Sequence, residues 1–310
     1  MPIVISGVPV EEAPPDTRSL FLGAPNLKDA AAQFTVIPSK MVGSHGLIYV
    51  GQREFASTVS HDKNVSIIGS DDCTTCLIVI LRHTGSGAII LAHMDGADVD
   101  GSVHILVNRI QEMSVGYEGR LELNLIGGFA DPRAHSERLS ISILHAFHRQ
   151  MTDIDLVLAC IGDLNTTYRG GIAWPFIYGV GVYIKTGEIF PAIFPDKGPD
   201  MSLRTARIFT NGQQQLMDIY DCGLGLMRLG PFTYPPLRGV DLWLQQSDDL
   251  IVSHLSPSPE VEPPNFSQKI RAALNFIRKH QFPAITVFPD GRPKFYRKIE
   301  NGGMWIEIQY

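Results

Sequence analysis

Two side chains in the first third of the chain, Cys76 and His93, could together carry out a nucleophilic reaction. A thiol beside an imidazole can become a thiolate–imidazolium pair, the usual activated cysteine nucleophile. The stretch between them has the pattern that would bring them together. Residues 77–81 and 88–92 are apolar, β-rich runs around Arg82-His83-Thr84-Gly85-Ser86-Gly87, which reads as an antiparallel hairpin. A turn centred between Thr84 and Gly85 sets Cys76 directly across from His93, on the same face at the open end, with Cβ atoms roughly 4.5–5.5 Å apart. His83 sits in the turn at the far end, roughly 23 Å from Cys76 along an extended strand, and is excluded as the base. Cys73 lies three residues before Cys76 in a polar loop, and the register gives it no histidine.

The elements around this hairpin follow from the same reading. Residues 47–50 and 65–68 are short strands, the second delivering the chain to the loop 70–75 that presents Cys76. Residues 94–102, rich in Asp and Gly, read as a flexible loop beside the proposed site. A helix is expected at 27–34 and another from 133 to about 150, the latter opened by Asp131 as N-cap and Pro132 at the first helical position. Residues 154–160 form a buried strand, and 176–185 with 188–194 a second hairpin around Thr186-Gly187. A helix at 201–208 and strands at 216–220 and 226–229 follow. The run 256–264, with four prolines, reads as a linker. Behind it come a helix at about 267–280 and a meander of strands at 285–288, 294–299 and 304–310. The order predicts an α+β protein of packed β-sheets flanked by helices, one catalytic domain over 1–310 that ends in a helix and β-meander (about 265–310).

Composition narrows the function classes. With 44% hydrophobic residues, a chain of 310 can bury a large core. Its net charge is −6, from 26 basic and 32 acidic residues, and no basic run or stripe points to nucleic acid. No apolar run approaches the roughly 18–20 residues that span a bilayer, so no membrane partner is expected. Four cysteines, at 73, 76, 160 and 222, suit reduced thiols in the cytosol or nucleus. Cys73-Thr74-Thr75-Cys76 also matches Cys-x-x-Cys, yet it has no second cysteine pair for zinc and opens a strand instead of a thioredoxin-like helix.

The block from Gly69 through Cys76, with Gly46-Leu47-Ile48-Tyr49-Val50, Leu81-Arg82-His83-Thr84-Gly85, Gly127-Gly128-Phe129, Ile177-Tyr178-Gly179 and Ile219-Tyr220-Asp221, resembles the protein N-terminal asparagine amidohydrolase family of eukaryotes. The core hairpin is also similar to that of bacterial cysteine deamidases, where a hydroxyl or backbone carbonyl orients the histidine; Ser70 matches that role here. The resemblance implies hydrolysis of the side-chain amide of an N-terminal asparagine to aspartate and ammonia, in proteins or peptides that then enter the N-degron pathway. It implies Cys76 as nucleophile, His93 as acid and base, and no metal or organic cofactor. Asp71, Asp72 and Asp95 become candidates to receive the substrate's α-ammonium, with Thr75 beside them on the substrate side. The alternative from another class is a non-catalytic reader of protein N-termini that keeps the same acidic pocket.

Overall fold

Residues 77–83 read Leu-Ile-Val-Ile-Leu-Arg-His, apolar on both faces of an extended chain, so this strand must lie between two other layers. The computed structural model, which describes residues 3–209, 215–299 and 303–309, places it so. Three strands position the chemistry: β1 (Ile67–Ser70), β2 (Leu77–His83) and β3 (Ile89–Met94). The last two are neighbours inside an eight-stranded mixed sheet. Its order is Met217–Asp218, Glu54–Thr58, β3, β2, Leu121–Gly127, Ile154–Ile161, Ile3–Ile5 and Val8–Pro9. β1 belongs to a second, five-stranded sheet, between Val180–Tyr183 and Leu47–Tyr49.

Side-chain alternation sorts the two faces of the large sheet. Leu77, Val79 and Leu81 pack under the helices α1 (Val99–Glu112) and α2 (His135–His148), against Val103, Leu106, Ile143 and Phe147. Ile78, Ile80, Ile89 and Leu91 point the other way and meet Ile68, Val180 and Val182 of the second sheet. The result is helix, sheet, sheet, an α+β fold. Three further helices, α3 (Met201–Ala206), α4 (Asp248–Leu255) and α5 (Phe266–Lys279), form a separate packing group. α5 buries Ile270, Leu274 and Ile277 on one stripe, against Ile251 of α4 and Leu203 of α3.

Five expectations need correction. The helix expected from 133, with Asp131 as N-cap and Pro132 at its first position, begins instead at His135, and Asp131 accepts the N–H groups of Arg133, His135 and Ser136 from the turn before it. The hairpin register pairs Ile78 with His93 and Leu77 with Met94, so Cys76 is two residues away from the position opposite His93. The turn is wider than a two-residue one. His83 and Ala88 close it, with Gly87 at a φ of +68°, and His83 Nδ1 accepts the Ser86 N–H at 3.1 Å. The expected loop 94–102 ends in a helix, because the Asp98 side chain caps it by accepting the Gly101 N–H. Where a strand is expected at 285–288, residues 283–286 form a helical turn: Pro283 fixes the first helical φ and overrides the β propensity of Ile285 and Thr286. The expected strand 216–220 is divided into Met217–Asp218, on the edge of the large sheet, and Tyr220–Asp221, in a four-stranded sheet with Leu226–Leu229, Lys294–Lys298 and Trp305–Ile308. The meander turn at 301–302 and Tyr310 lie outside the described residues.

Candidate active site

The displaced register leaves the chemistry on one face, because a shift of two residues preserves side-chain direction. Cys76 precedes Ile78 by two and His93 follows Leu91 by two, so both project toward the second sheet, where they line one cavity. Ser70, at the end of β1, reaches them from the opposite layer. Its Oγ and His93 Nδ1 share a hydrogen bond of 2.8 Å that crosses the sandwich and fixes the ring at that nitrogen. Among the described residues Nε2, the other ring nitrogen, has no hydrogen-bond partner although it is buried. Such a group costs roughly 1–3 kcal/mol, and native folds keep few of them.

Burial sets the resting protonation of this pair. The imidazole is only 3% exposed, and desolvation lowers its pKa to about 4. Burial likewise pushes the Cys76 thiol well above its ordinary value, helped by Cys73 and by the negative charges of Asp95 and Glu262. The two groups therefore rest as thiol and neutral imidazole. Cys73, fully buried, donates its S–H to the Cys76 carbonyl at 2.7 Å and packs under Gly127. It braces the loop from beneath.

The cavity holds about 580 Å³. On the sheet side Tyr49, Asp71, Asp72, Thr75, Cys76 and His93 line it; on the helical side Lys197, Leu255, Glu262, Phe266 and Lys269 do. A smaller, more polar cavity of about 390 Å³ adjoins it and shares Thr75 and Cys76, with Asp95, His135 and Arg138 on its walls. The thiol stands between the two.

Asp71, Asp72 and Asp95, the candidates to receive the substrate's α-ammonium, are each already paired with groups of the protein. Asp71 accepts hydrogen bonds from Tyr49 Oη at 2.9 Å and the Phe194 N–H at 2.8 Å and pairs with Lys197. Asp72, whose φ of +57° turns it out of the strand, pairs with Lys197 at 2.5 Å and with Lys269. Burial works to raise its pKa, but the two lysines outweigh that and lower it. Asp95 accepts from Arg53 Nε and Gln52 Nε2, both at 2.7 Å. Behind this corner Glu54 and Arg204, each 1% exposed, form a doubly hydrogen-bonded ion pair, and Arg204 also donates to the Tyr49 carbonyl.

Several wall residues escape any sequence signal. Lys197 and Lys269 meet Asp72 from 125 and 197 residues away, and no local pattern announces such a contact. Glu262 lies inside the proline run read as a linker, which instead folds against the cavity. The one available hint was an acidic residue flanked by serines and prolines, a stiff and locally hydrogen-bonding context. Among the described residues no group of three or more His, Cys, Asp or Glu side chains is arranged to hold a metal ion.

Comparison with known proteins covers nearly the whole chain, this region included. The model of the protein N-terminal asparagine amidohydrolase family matches residues 37–307, which contain every residue named at the cavity. Protein N-terminal asparagine amidohydrolases of Sus scrofa and Homo sapiens are each 42% identical over 309 residues, covering 99% of this chain and 98% of the relative. The protein of the same name from Arabidopsis thaliana is 24% identical, over 89% of this chain and 86% of its own length.

Proposed function

The chain belongs to the protein N-terminal asparagine amidohydrolase family, and we propose that it hydrolyses the side-chain amide of an N-terminal asparagine, in a protein or peptide, to aspartate and ammonia. One observation carries the mechanism: His93 is clamped at Nδ1 by Ser70, its Nε2 has no partner among the described residues, and His93 and Cys76 line the same cavity. With Nδ1–H donating to Ser70 Oγ, Nε2 keeps its lone pair. It takes the thiol proton as Sγ attacks the carboxamide carbon, so the ion pair exists only along the reaction path. Backbone N–H groups beside Cys76 receive the developing oxyanion. Nε2–H then protonates the departing nitrogen, the C–N bond breaks, and ammonia leaves behind a thioester. Water, deprotonated by Nε2, attacks the thioester; the carboxylate of aspartate forms and the thiol regains its proton. Thr75, next to the nucleophile on both cavities, borders the substrate.

The aspartate produced at the terminus is the kind of residue that arginylation extends in the N-degron pathway, and cytosol and nucleus are the compartments we assign to the reaction. The test is ammonia release from a peptide that begins with asparagine. Wild-type protein is expected to release one equivalent per peptide, and Cys76→Ala none. Tight binding without release would favour a reader of N-termini over an enzyme.

A further inference from the structure

The acidic groups around the site divide by what already holds them. Asp71 and Asp72 bring two negative charges against the two positive charges of Lys197 and Lys269, so that corner is neutral. Asp95 is taken by Arg53. Asp196 is exposed and turns back to accept the Gly198 N–H at 2.9 Å. Glu262 differs from all of them. It is sheltered on the cavity wall, and no cation of the described residues pairs with it.

The seat of Glu262 is nevertheless built with care for its other oxygen. Oε1 accepts from the hydroxyls of Ser256 at 2.5 Å and Ser258 at 3.4 Å, both serines being buried. Ser256 Oγ in turn accepts the Ser258 N–H at 2.9 Å, and Pro257 and Pro259 stiffen the backbone between Ser256 and Glu262, with Pro263 directly after it. Oε2 accepts no hydrogen bond from the described residues. Desolvation raises the carboxyl pKa and outweighs the two serine hydrogen bonds and the more distant charge of Lys269, which lower it. A rigid, half-satisfied carboxylate on the wall of a cavity, whose nearest cation, Lys269, is held by Asp72, is a receptor for a further cation.

We propose that Glu262, fixed by Ser256 and Ser258, receives the α-ammonium of the substrate's first residue and thereby restricts the site to chain termini. The inference rests on the hydrolytic reading above and adds a recognition residue to it. In asparagine three bonds separate the α-nitrogen from the amide carbon, roughly 3–4 Å in space. An ammonium pinned at Glu262 therefore holds that carbon at a set distance from the carboxylate. Glutamine, one methylene longer, overshoots the thiol from the same anchor, so one contact both requires a free terminus and measures the side chain.

The experiment compares a peptide starting with asparagine with the same peptide carrying a 3-carbamoylpropanoyl group in its place, which keeps the amide and lacks the amine. A hydrogen bond between charged groups corresponds to roughly a tenfold to hundredfold preference. Wild-type protein is expected to favour the free amine by that factor in kcat/KM, carried by KM. In Glu262→Gln the preference falls to near one, while iodoacetamide alkylates Cys76 no more slowly than in wild type. A preference that survives undiminished in Glu262→Gln overturns the proposal. If that variant does not fold, Ser256→Ala, which frees the carboxylate to move, is expected to lose part of the preference, and an unchanged ratio there overturns the proposal equally. Should wild-type protein release ammonia from neither peptide, the hydrolytic reading fails by itself. Calorimetric binding of the two peptides to Cys76→Ala then decides the matter for Glu262: tighter binding of the free amine supports it and equal binding rejects it.

Discussion

The Asp71–Asp72 corner of the cavity and the Cys76–His93 corner come from one short stretch of chain, and they differ in how far their polar groups are satisfied. In the first, two carboxylates, two ammonium groups, a phenol and a backbone N–H meet one another's needs. In the second, a buried ring nitrogen has no partner among the described residues and a thiol is held protonated by burial. A satisfied network rigidifies its surroundings and lets nothing in. An unsatisfied one gives up stability in order to be ready for a substrate atom. The difference locates the chemistry more sharply than residue type does, because by type alone the aspartates are as attractive as the histidine.

The comparison can be broken by removing either side of it. The largest effect is expected from His93→Ala and Cys76→Ala, each lowering kcat/KM for an asparagine peptide by roughly a thousandfold or more, since groups that act as a unit fail together. Both variants should keep a wild-type circular dichroism spectrum. Asp71→Asn attacks the satisfied corner, leaving Lys197 buried with less than its full countercharge. A loss of about 3–5 kcal/mol in urea unfolding is expected, the usual result of opening a buried charge pair. Should Asp71→Asn prove neutral in stability while abolishing turnover, the division between structural and reactive corners is wrong.

Titration sharpens the contrast. His93 binds its proton at about pH 4 in the folded chain against 6.5 unfolded. Between those values the unfolded state takes up more protons, so stability is fully present above about pH 6.5 and declines as pH falls, by roughly 3 kcal/mol in total. Unfolding measured from pH 7 to 4 should show this slope in wild type and a shallower one in His93→Gln. Activity should persist on the acid side further than an ordinary histidine base would allow. Ser70→Ala removes the clamp and not the base, so about a tenfold fall in kcat with unchanged KM is expected in steady-state assays. Cys73→Ala should cost only about 1 kcal/mol of stability and retain most of the turnover; a loss as deep as that of Cys76→Ala would revive a Cys-x-x-Cys mechanism.

Local patterns in the sequence made much of this legible. The periodicity of 77–81 and 88–92 gave the hairpin, and the length of the Gly69–Cys76 block gave the loop. Cys76 and His93 share a face although the pairing is displaced, because parity survives a two-residue shift and the turn type does not announce itself in Thr84-Gly85-Ser86-Gly87. Contacts that close across more than a hundred residues left no trace. Lys197 reads as a surface lysine, Arg204 as a helix residue, and Glu262 as part of a linker, because each gains its meaning only from tertiary packing. Pro283 and Asp98 show the opposite case, where a single local signal for a helix start outweighed the propensity or composition of its neighbours.

Ser70, Cys76 and His93 are all synthesised within the first 93 residues, whereas Glu262 and Lys269 belong to the last sixth of the chain. Residues 1–240 hold the candidate nucleophile, its histidine and its clamp, and neither Glu262 nor the helix that carries Lys269. On the proposed reading, reactivity and choice of target are therefore encoded in separate parts of the chain, so that either can be altered without rewriting the other.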